Sequence, residues 1–326
     1  MSDRDLNDLT TYRLTEQSLL KSTVMPPFPP ADSYRDLIRL ARLEDLGPES
    51  DDCTSRLAVA DDVIGVGTML QKQTGVVCGL PIVEEVCRAY DERLRVEMIP
   101  GFHMEIIEGR FSDMKETPLV RVRGPLRSLL SAERVMLNFV QRMSGVATLT
   151  AKFVKRIEGT GAALVDTRKT MPGFRTLDKY AVLAGGAAGH RQGLFDMLLL
   201  KDNHLAALPP REWPAAVARI VKESKAEAPQ RKTMVEVDTL DQLRHVLPID
   251  GVDYVLLDNM DCPTMSQAVQ MRDAAGKKGR LQLEASGGVT LETIRSIALT
   301  GVDRISVGAV THSATALDIG LDIELQ

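Results

Sequence analysis

Tyr254-Val-Leu-Leu257, followed at once by Asp258-Asn259, is a short apolar run that ends on a polar, charged tip. It is too short for a helix and the right length for a strand buried on both faces. The arrangement recurs along the chain. Upstream stand Ala163-Leu-Val-Asp166, Met197-Leu-Leu-Leu200 and Met234-Val-Glu-Val237; downstream stand Gln282-Leu-Glu-Ala285 and Arg304-Ile-Ser-Val307. The runs lie about 20 to 40 residues apart with helix-like segments between them, the rhythm of βα units. Thr239-x-x-Gln242 has capping-box spacing, and a helix is expected to start near Thr290, just after Gly287-Gly288. Nearly continuous apolar strands alternating with helices belong in a parallel sheet. The expected fold class is α/β, with an open, incomplete α/β barrel over residues 146–309.

The first half has a different texture. Asp36 to Leu43 has helical apolar spacing and ends at Gly47-Pro48. Val63–Leu70, Gly75–Gly79, Val96–Ile99 and Leu119–Val122 read as strands, and Pro81–Tyr90 reads as a helix. Arg127 to about Ile157 is the longest helical stretch, expected to break near Ser144-Gly145. An N-terminal α/β sandwich domain is therefore expected over 31–145, preceded by a peripheral extension over 1–30. At the other end Leu317, Ile319, Leu321, Ile323 and Leu325 alternate with polar residues or glycine. That period of two marks an amphipathic strand, unsuited to a buried barrel, so 310–326 is expected to return to the sandwich.

Composition narrows the function. The 326 residues suggest two domains at ~100–200 residues each. A net charge of −5 and only 4% aromatic residues argue against nucleic acid or an anionic membrane surface as partner. No run of about 18 apolar residues offers a transmembrane helix, and Met1–Leu14 lacks the apolar core of a signal peptide. Cys53, Cys78, Cys87 and Cys262 form no C-x-x-C pair, so reduced, buried thiols in a cytoplasmic protein are expected.

In a β/α barrel the reactive groups stand at the C-terminal ends of the strands. The tips here are ordered by charge. The first two carry Arg168, Lys169, His190, Arg191, Lys201 and His204; the next two carry Glu236, Asp238 and Asp258; the last two carry Ser286, Gly287, Gly288, Ser306 and Gly308. Guanidinium and ammonium groups suit carboxylates, the acidic residues suit a ribose diol or a Mg²⁺ brought by a polyphosphate, and glycine-rich turns offer N–H groups to a phosphate. Each feature alone is ordinary. A lone Arg-Lys pair is usually solvated surface, a lone Gly-Gly is usually a turn, and Asp258 alone could cap a helix. His103 and His245 are assigned nothing. Recurrence of charged tips after successive buried strands is what points to an anion-handling catalytic mouth.

The run Asp166-Thr-Arg-Lys-Thr-x-Pro-Gly173, with Lys179-Tyr-Ala-Val182, Gly185-Gly186, His190-Arg191-x-Gly193-Leu194 and Lys201-Asp-Asn-His204, resembles the quinolinate phosphoribosyltransferase family. So do Glu133-Arg134, Leu137-Asn138, Gln141 and Ser144-Gly145 upstream, and Leu257-Asp-Asn-Met260, Glu284-Ala-Ser-Gly-Gly288 and Ser306-Val-Gly308 downstream. The resemblance runs from about residue 30 to the C-terminus. It implies transfer of a phosphoribosyl group from phosphoribosyl pyrophosphate to quinolinate, with decarboxylation, in NAD biosynthesis. It implies that Arg168, Lys169, His190, Arg191 and Lys201 hold the quinolinate carboxylates. Glu236 and Asp258 would face the ribose and Mg²⁺, and Ser286, Gly287, Gly288, Ser306 and Gly308 the 5-phosphate. Lys169, Glu236 and Asp258 would be catalytic. A homodimer or larger homo-oligomer is implied, with Arg134 completing the neighbour's site. The family pattern shows a third glycine and an Asn where Ala187 and Gly189 stand here, so local loop changes are expected. Three rivals remain: a sister enzyme for another aromatic acid, a Schiff-base aldolase using Lys169 or Lys201, and a non-catalytic anion sensor.

Overall fold

The computed structural model of the chain describes residues 26–97, 99, 109, 111–112, 117–205 and 209–326. Of the expected extension over 1–30, all but 26–30 lies outside them. Contacts divide the chain into two units. One holds the described residues up to Thr148 together with Thr315–Gln326; the other is Leu149–Ala314.

In the first unit, β1 (Ile64–Gln71) is flanked on both sides by antiparallel partners, β5 (Thr117–Pro125) and β12 (Ile319–Leu325). β3 (Arg95–Glu97) pairs with β5 and completes a four-stranded sheet, and a small ribbon joins β2 (Gly75–Val76) to β4 (Phe111–Ser112). The C-terminal alternation is thus a strand that returns to this unit, with Ile319 opposite Gln71 and Leu325 opposite Gly65. Leu129, Met136, Val140 and Met143, fully buried, line one stripe of the long helix Leu126–Arg156 at helical spacing. Each such side chain contributes about 1.5–3 kcal/mol on burial, so this stripe anchors the helix.

That helix runs unbroken through Ser144-Gly145, contrary to the expected interruption. The small polar residues there serve neighbouring extended chain. Ser144 Oγ accepts from Cys78 N–H at 2.9 Å, and Thr148 Oγ1 accepts from Val76 N–H at 2.8 Å. Gln141 Nε2 donates to the Ile319 carbonyl at 2.6 Å, and its own carbonyl accepts from Leu317 N–H at 3.0 Å. A Cβ on Gly145 would lie 2.1 Å from the Thr315 carbonyl oxygen. Gln141, Ser144, Gly145 and Thr148 share one helix face at i, i+3, i+4 and i+7. The glycine is a close-approach site and not a break.

The second unit holds six parallel strands: β6 (Ala163–Val165), β7 (Met197–Leu200), β8 (Lys232–Val237), β9 (Tyr254–Asp258), β10 (Gln282–Ser286) and β11 (Arg304–Ser306). Their order across the sheet is β6-β11-β10-β9-β8-β7, so the first strand pairs with the last. Neighbours otherwise follow chain order, and β6 and β7 are the two sheet edges. This is a cyclic order opened once, the signature of the open α/β barrel. Met197, Leu199, Met234 and Leu256 pack as a cluster with Tyr254 beside them. These are alternate residues on β7, β8 and β9, so they mark the inward face. The capping box at Thr239 is formed as expected. Of the four cysteines, Cys78 and Cys87 are buried, but Cys53 is exposed on the helix Cys53–Ala58 and Cys262 is half-buried at a helix start, so burial holds for only two.

Gly145→Ala should destabilise the protein by about 1–3 kcal/mol or more, because the helix cannot shift without losing its other polar contacts. A thermal melt checks this; an unchanged midpoint would mean that the crossing at Thr315 yields freely.

Candidate active site

Parallel register sets the site's floor. Glu236 pairs with Leu256, Leu256 with Glu284, and Glu284 with Arg304, so these four share one level and one face. Two residues further along, Asp258 pairs with Ser286. Charged residues thus join Leu256 one step beyond the apolar layer of Leu199, Met234 and Tyr254, as the strands reach their C-terminal ends.

The deepest charges form a buried network. Glu284 has no solvent exposure; its carboxylate accepts from Arg304 Nε at 2.9 Å and stands 3.3 Å from His190 Nε2. The Arg304 guanidinium lies over the Tyr254 ring, 4.8 Å from its centroid. Burial pushes the Glu284 carboxyl up, but the hydrogen bonds and charges of His190 and Arg304 outweigh it and hold the group below its ordinary range. Arg191 N–H donates to His190 Nδ1 at 2.7 Å. That nitrogen therefore keeps its lone pair, and the ring proton belongs on Nε2, facing Glu284. His190 Nδ1 thus accepts a backbone bond, while Nε2 faces Glu284.

A second buried pair fixes the same segment. Lys179, on the helix Arg175–Ala184, places Nζ 2.7 Å from each oxygen of Asp166 at the end of β6. Both residues are buried. Burial raises the proton affinity of Asp166 and lowers that of Lys179, against their mutual attraction. Each also grips the backbone of His190: Asp166 accepts its N–H at 2.8 Å, and Lys179 donates to its carbonyl at 3.2 Å. Arg175 adds a bond to the Gln192 carbonyl at 3.1 Å. Asp196 accepts from Gln192 N–H at 2.7 Å and Gly193 N–H at 3.0 Å. The loop that bears Arg191 is tied at both ends, although Ala187 and Gly189 supply no side-chain bond.

The cations gather beside this loop. Burial, and then the nearby charge of Arg168, make Arg191 easier to deprotonate than an ordinary arginine. Arg168 Nε is buried and has no hydrogen-bond partner among the described residues. Two guanidiniums that influence each other, one with a buried donor unspent, favour an anionic ligand with more than one charge. Lys201 is ion-paired to Glu236, whose side chain is largely buried. Lys169 is exposed and its stem passes Gly308: a Cβ there would lie 3.0 Å from Lys169 Cδ. Thr311 Oγ1 donates to the Lys169 carbonyl at 2.8 Å, joining the first tip to the last.

The acidic side is equally crowded. Asp238 has a raised proton affinity through burial and then through Asp258 and Asp202, with Lys201 opposing them. Among the described residues no group of three or more His, Cys, Asp or Glu side chains could hold a metal by itself. Half-buried Ser286 ends β10, and Gly287 and Gly288 follow in an exposed turn, both at positive φ (102° and 59°). The helix expected near Thr290 begins only at Ile294. Thr290 instead closes a turn, its Oγ1 accepting from Glu292 and Thr293 N–H at 3.3 and 3.4 Å. Any phosphate site here depends on turn N–H groups and not on a helix end. Ser306 is buried, donating to the Ala285 carbonyl at 3.3 Å.

The strand ends thus bring Arg168, Lys169, Arg191, Lys201, Glu236, Asp258, Ser286, Gly287, Gly288, Ser306 and Gly308 into one unit. Arg134 belongs to the other unit, in the N-terminal part of the long helix, and its side chain is 60% exposed with Glu133 3.9 Å away. Sequence reasoning passed over Lys179, Glu284, Arg304 and Asn259 as functional residues. Charge inside an otherwise apolar strand was the available signal for Glu284 and Arg304.

The chain matches the model of the quinolinate phosphoribosyl transferase C-terminal domain over residues 146–322 and that of the N-terminal domain over 52–144. It is 40% identical over 296 residues to the nicotinate-nucleotide pyrophosphorylase [carboxylating] of Mycobacterium leprae, covering 90% of this chain and 98% of that one. It is 35% identical over 322 residues to a mitochondrial quinolinate phosphoribosyltransferase [decarboxylating] of Nicotiana tabacum, covering 93% and 86%. The solved nicotinate-nucleotide pyrophosphorylase of Francisella tularensis superposes with a TM-score of 0.78 at 33% identity, covering 91% and 98%.

Lys179→Met leaves Asp166 buried without its cation and should cost about 3–5 kcal/mol, read as a lower melting temperature. A change under about 1 kcal/mol would show that the pair is dispensable. Glu284 carries a second expectation. Its folded proton affinity is depressed, so its stabilisation is complete above the ordinary carboxylate range and is lost as pH falls through the folded value. Glu284→Gln should therefore be less stable than the parent at neutral pH, with the gap closing on acidification. Melts from neutral pH to about pH 3, below the ordinary carboxylate range, test the sign, and a gap that widens in acid contradicts it.

Proposed function

Because the chain belongs to the quinolinate phosphoribosyltransferase family, and transfers the phosphoribosyl group of phosphoribosyl pyrophosphate to quinolinate with loss of carbon dioxide, we propose that this chemistry is carried by the strand-end residues of its open barrel. One observation carries the assignment: Arg168, whose buried Nε has no partner among the described residues, stands close enough to Arg191 to shift its proton affinity. Such a pair suits a ligand with two adjacent carboxylates.

Quinolinate lies against Arg168, Arg191, Lys169 and Lys201. His190 lines the pocket and sets the Arg191 backbone, the role its bond from Arg191 N–H favours. The phosphoribosyl group spans from Glu236 and Asp258, facing the ribose, to the N–H groups of Ser286, Gly287, Gly288 and Gly308, facing the 5-phosphate. Ser306 supports that loop from below through the Ala285 carbonyl.

The quinolinate nitrogen forms a bond to the anomeric carbon as the bond to pyrophosphate breaks. Asp258 and Glu236 steady the positive charge that develops on the ribose, and Lys169 meets the departing negative charge. The carbon–carboxylate bond beside the newly cationic nitrogen then breaks. Its electron pair stays on the ring carbon, which takes a proton from solvent. No covalent enzyme intermediate is needed; the protein positions two anionic partners and offsets their repulsion.

Mg²⁺ brought by the pyrophosphate would rest near Glu236 and Asp258 and neutralise charge on the leaving group. Carboxylate crowding at Asp238, Asp258 and Asp202 suits a cation, and the lack of a complete protein shell among the described residues suits one that arrives with the substrate. A homodimer with shared sites is supported by the exposed Arg134 and by Leu194 and Phe195, apolar yet exposed beside Arg191. The thiols of Cys53, Cys87 and Cys262 favour the cytoplasm, and no helix among the described residues is long and apolar enough to cross a membrane. The aldolase alternative loses support because Lys201 is tied to Glu236 and Lys169 is exposed, whereas a Schiff-base lysine wants desolvation.

Carbon dioxide released from carboxyl-labelled quinolinate should require phosphoribosyl pyrophosphate and Mg²⁺ together. Consumption of nicotinate instead would overturn the substrate assignment. Arg168→Ala should lower kcat/KM for quinolinate by about 100-fold or more, as expected for loss of a charge-assisted bidentate contact. Parental turnover in that variant would remove Arg168 from the site.

A further inference from the structure

Asn259 follows the proposed ribose carboxylate and has a backbone φ of +50°. Among residues with a side chain, Asn is one of the few that accept this left-handed conformation at small cost. The turn lets it make contacts in two directions. Its side-chain Nδ2 donates to Asp258 Oδ2 at 2.8 Å. A carboxylate only accepts, so the amide nitrogen, and not its oxygen, must face Asp258. Its backbone N–H donates to the Ser286 carbonyl at 2.9 Å. Its side-chain oxygen lies against Gly287 so closely that a Cβ there would be 2.0 Å away. Gly287 is therefore held to glycine by this contact as well as by its positive φ of 102°.

We propose that Asn259 is a positioning residue that locks the Asp258 carboxylate to the Ser286-Gly287 turn, and so fixes the distance between the ribose end and the 5-phosphate end of the phosphoribosyl pyrophosphate site. The inference rests on the assignment of both elements to that substrate. Asp258 and Ser286 sit opposite each other in register on β9 and β10, but beyond that level the sheet pairing stops. Past it the two tips are free to part unless something bridges them. Asn259 bridges them through main chain and side chain at once, and it spends one Asp258 oxygen to do so, leaving the other for substrate. The residue is exposed, so its bonds contribute little to global stability. Its loss should therefore appear in substrate binding and not in the melt.

The test uses the full-length enzyme and three variants. Asn259→Gly keeps the left-handed backbone and removes the amide. Asn259→Asp keeps the size and puts a negative charge against Asp258. Asp258→Asn tests the underlying site assignment. KM for phosphoribosyl pyrophosphate should rise about tenfold or more in both Asn259 variants, while KM for quinolinate stays within about twofold and the melting temperature of Asn259→Gly stays near the parent's. If Asp258→Asn raises that KM and Asn259→Gly does not, the positioning role is overturned while the site assignment stands. Equal rises in both KM values would also overturn it, by marking Asn259 as a general support. A parental KM in Asp258→Asn would sink the site assignment and the inference with it.

Discussion

Pairing of β6 with β11 is the constraint on which the second unit depends. It joins the first strand of the sheet to the last and so forces six parallel strands to curl. A parallel sheet points every carbonyl end the same way, and curling brings those ends around a common centre. Residues distant in sequence become neighbours by this means: Lys169 meets Gly308, Lys201 meets Glu236, and Arg304 meets Glu284. Beside the β6 edge, Ala188 bridges to Val165 and so sets the segment that carries His190 and Arg191 next to that strand.

Inside that frame, charge takes the place of apolar packing, and the substitution is conditional. Buried ionic groups repay their desolvation only when each has partners of good geometry. Here they do. Asp166 accepts from Lys179 and His190, and Glu284 lies between Arg304 and His190. Both networks end on His190, from opposite sides, one through its backbone and one through its ring. Arg191 inherits that rigidity through the bond from its N–H to His190 Nδ1. Its guanidinium is thereby presented on a fixed backbone to a ligand, although the loop itself carries Gly189 and Gly193. Preorganisation of this kind reduces the entropy lost when an anion binds.

The first unit solves a different problem with the same economy. Its long helix must pack apolar residues on one stripe and serve as hydrogen-bond partner to extended chain on another. Ser144, Thr148 and Gln141 do the second task, and Gly145 lets the returning chain come close. Helix-breaking residues by composition are here contact residues by position.

The sequence by itself determined the strands and their direction. Apolar runs of about four residues with charged tips at βα spacing leave few alternatives to a parallel sheet, and every run became one of β6 to β11. It also determined the ordering of cationic, acidic and glycine-rich tips, because residues at a strand's end are tied to the strand's own pattern. The C-terminal strand was legible from its period of two. What the chain could not declare was pairing at a distance. Lys179 reads as one polar residue on an amphipathic helix until Asp166 is placed 2.7 Å from it. His190 reads as one more basic residue at a strand tip until Glu284 stands 3.3 Å from its ring. Asn259 reads as a turn residue until Gly287 closes on it. Local pattern follows from periodicity and steric limits along the chain, whereas these contacts arise only when the sheet curls, and only the tertiary structure decides which charges then face each other.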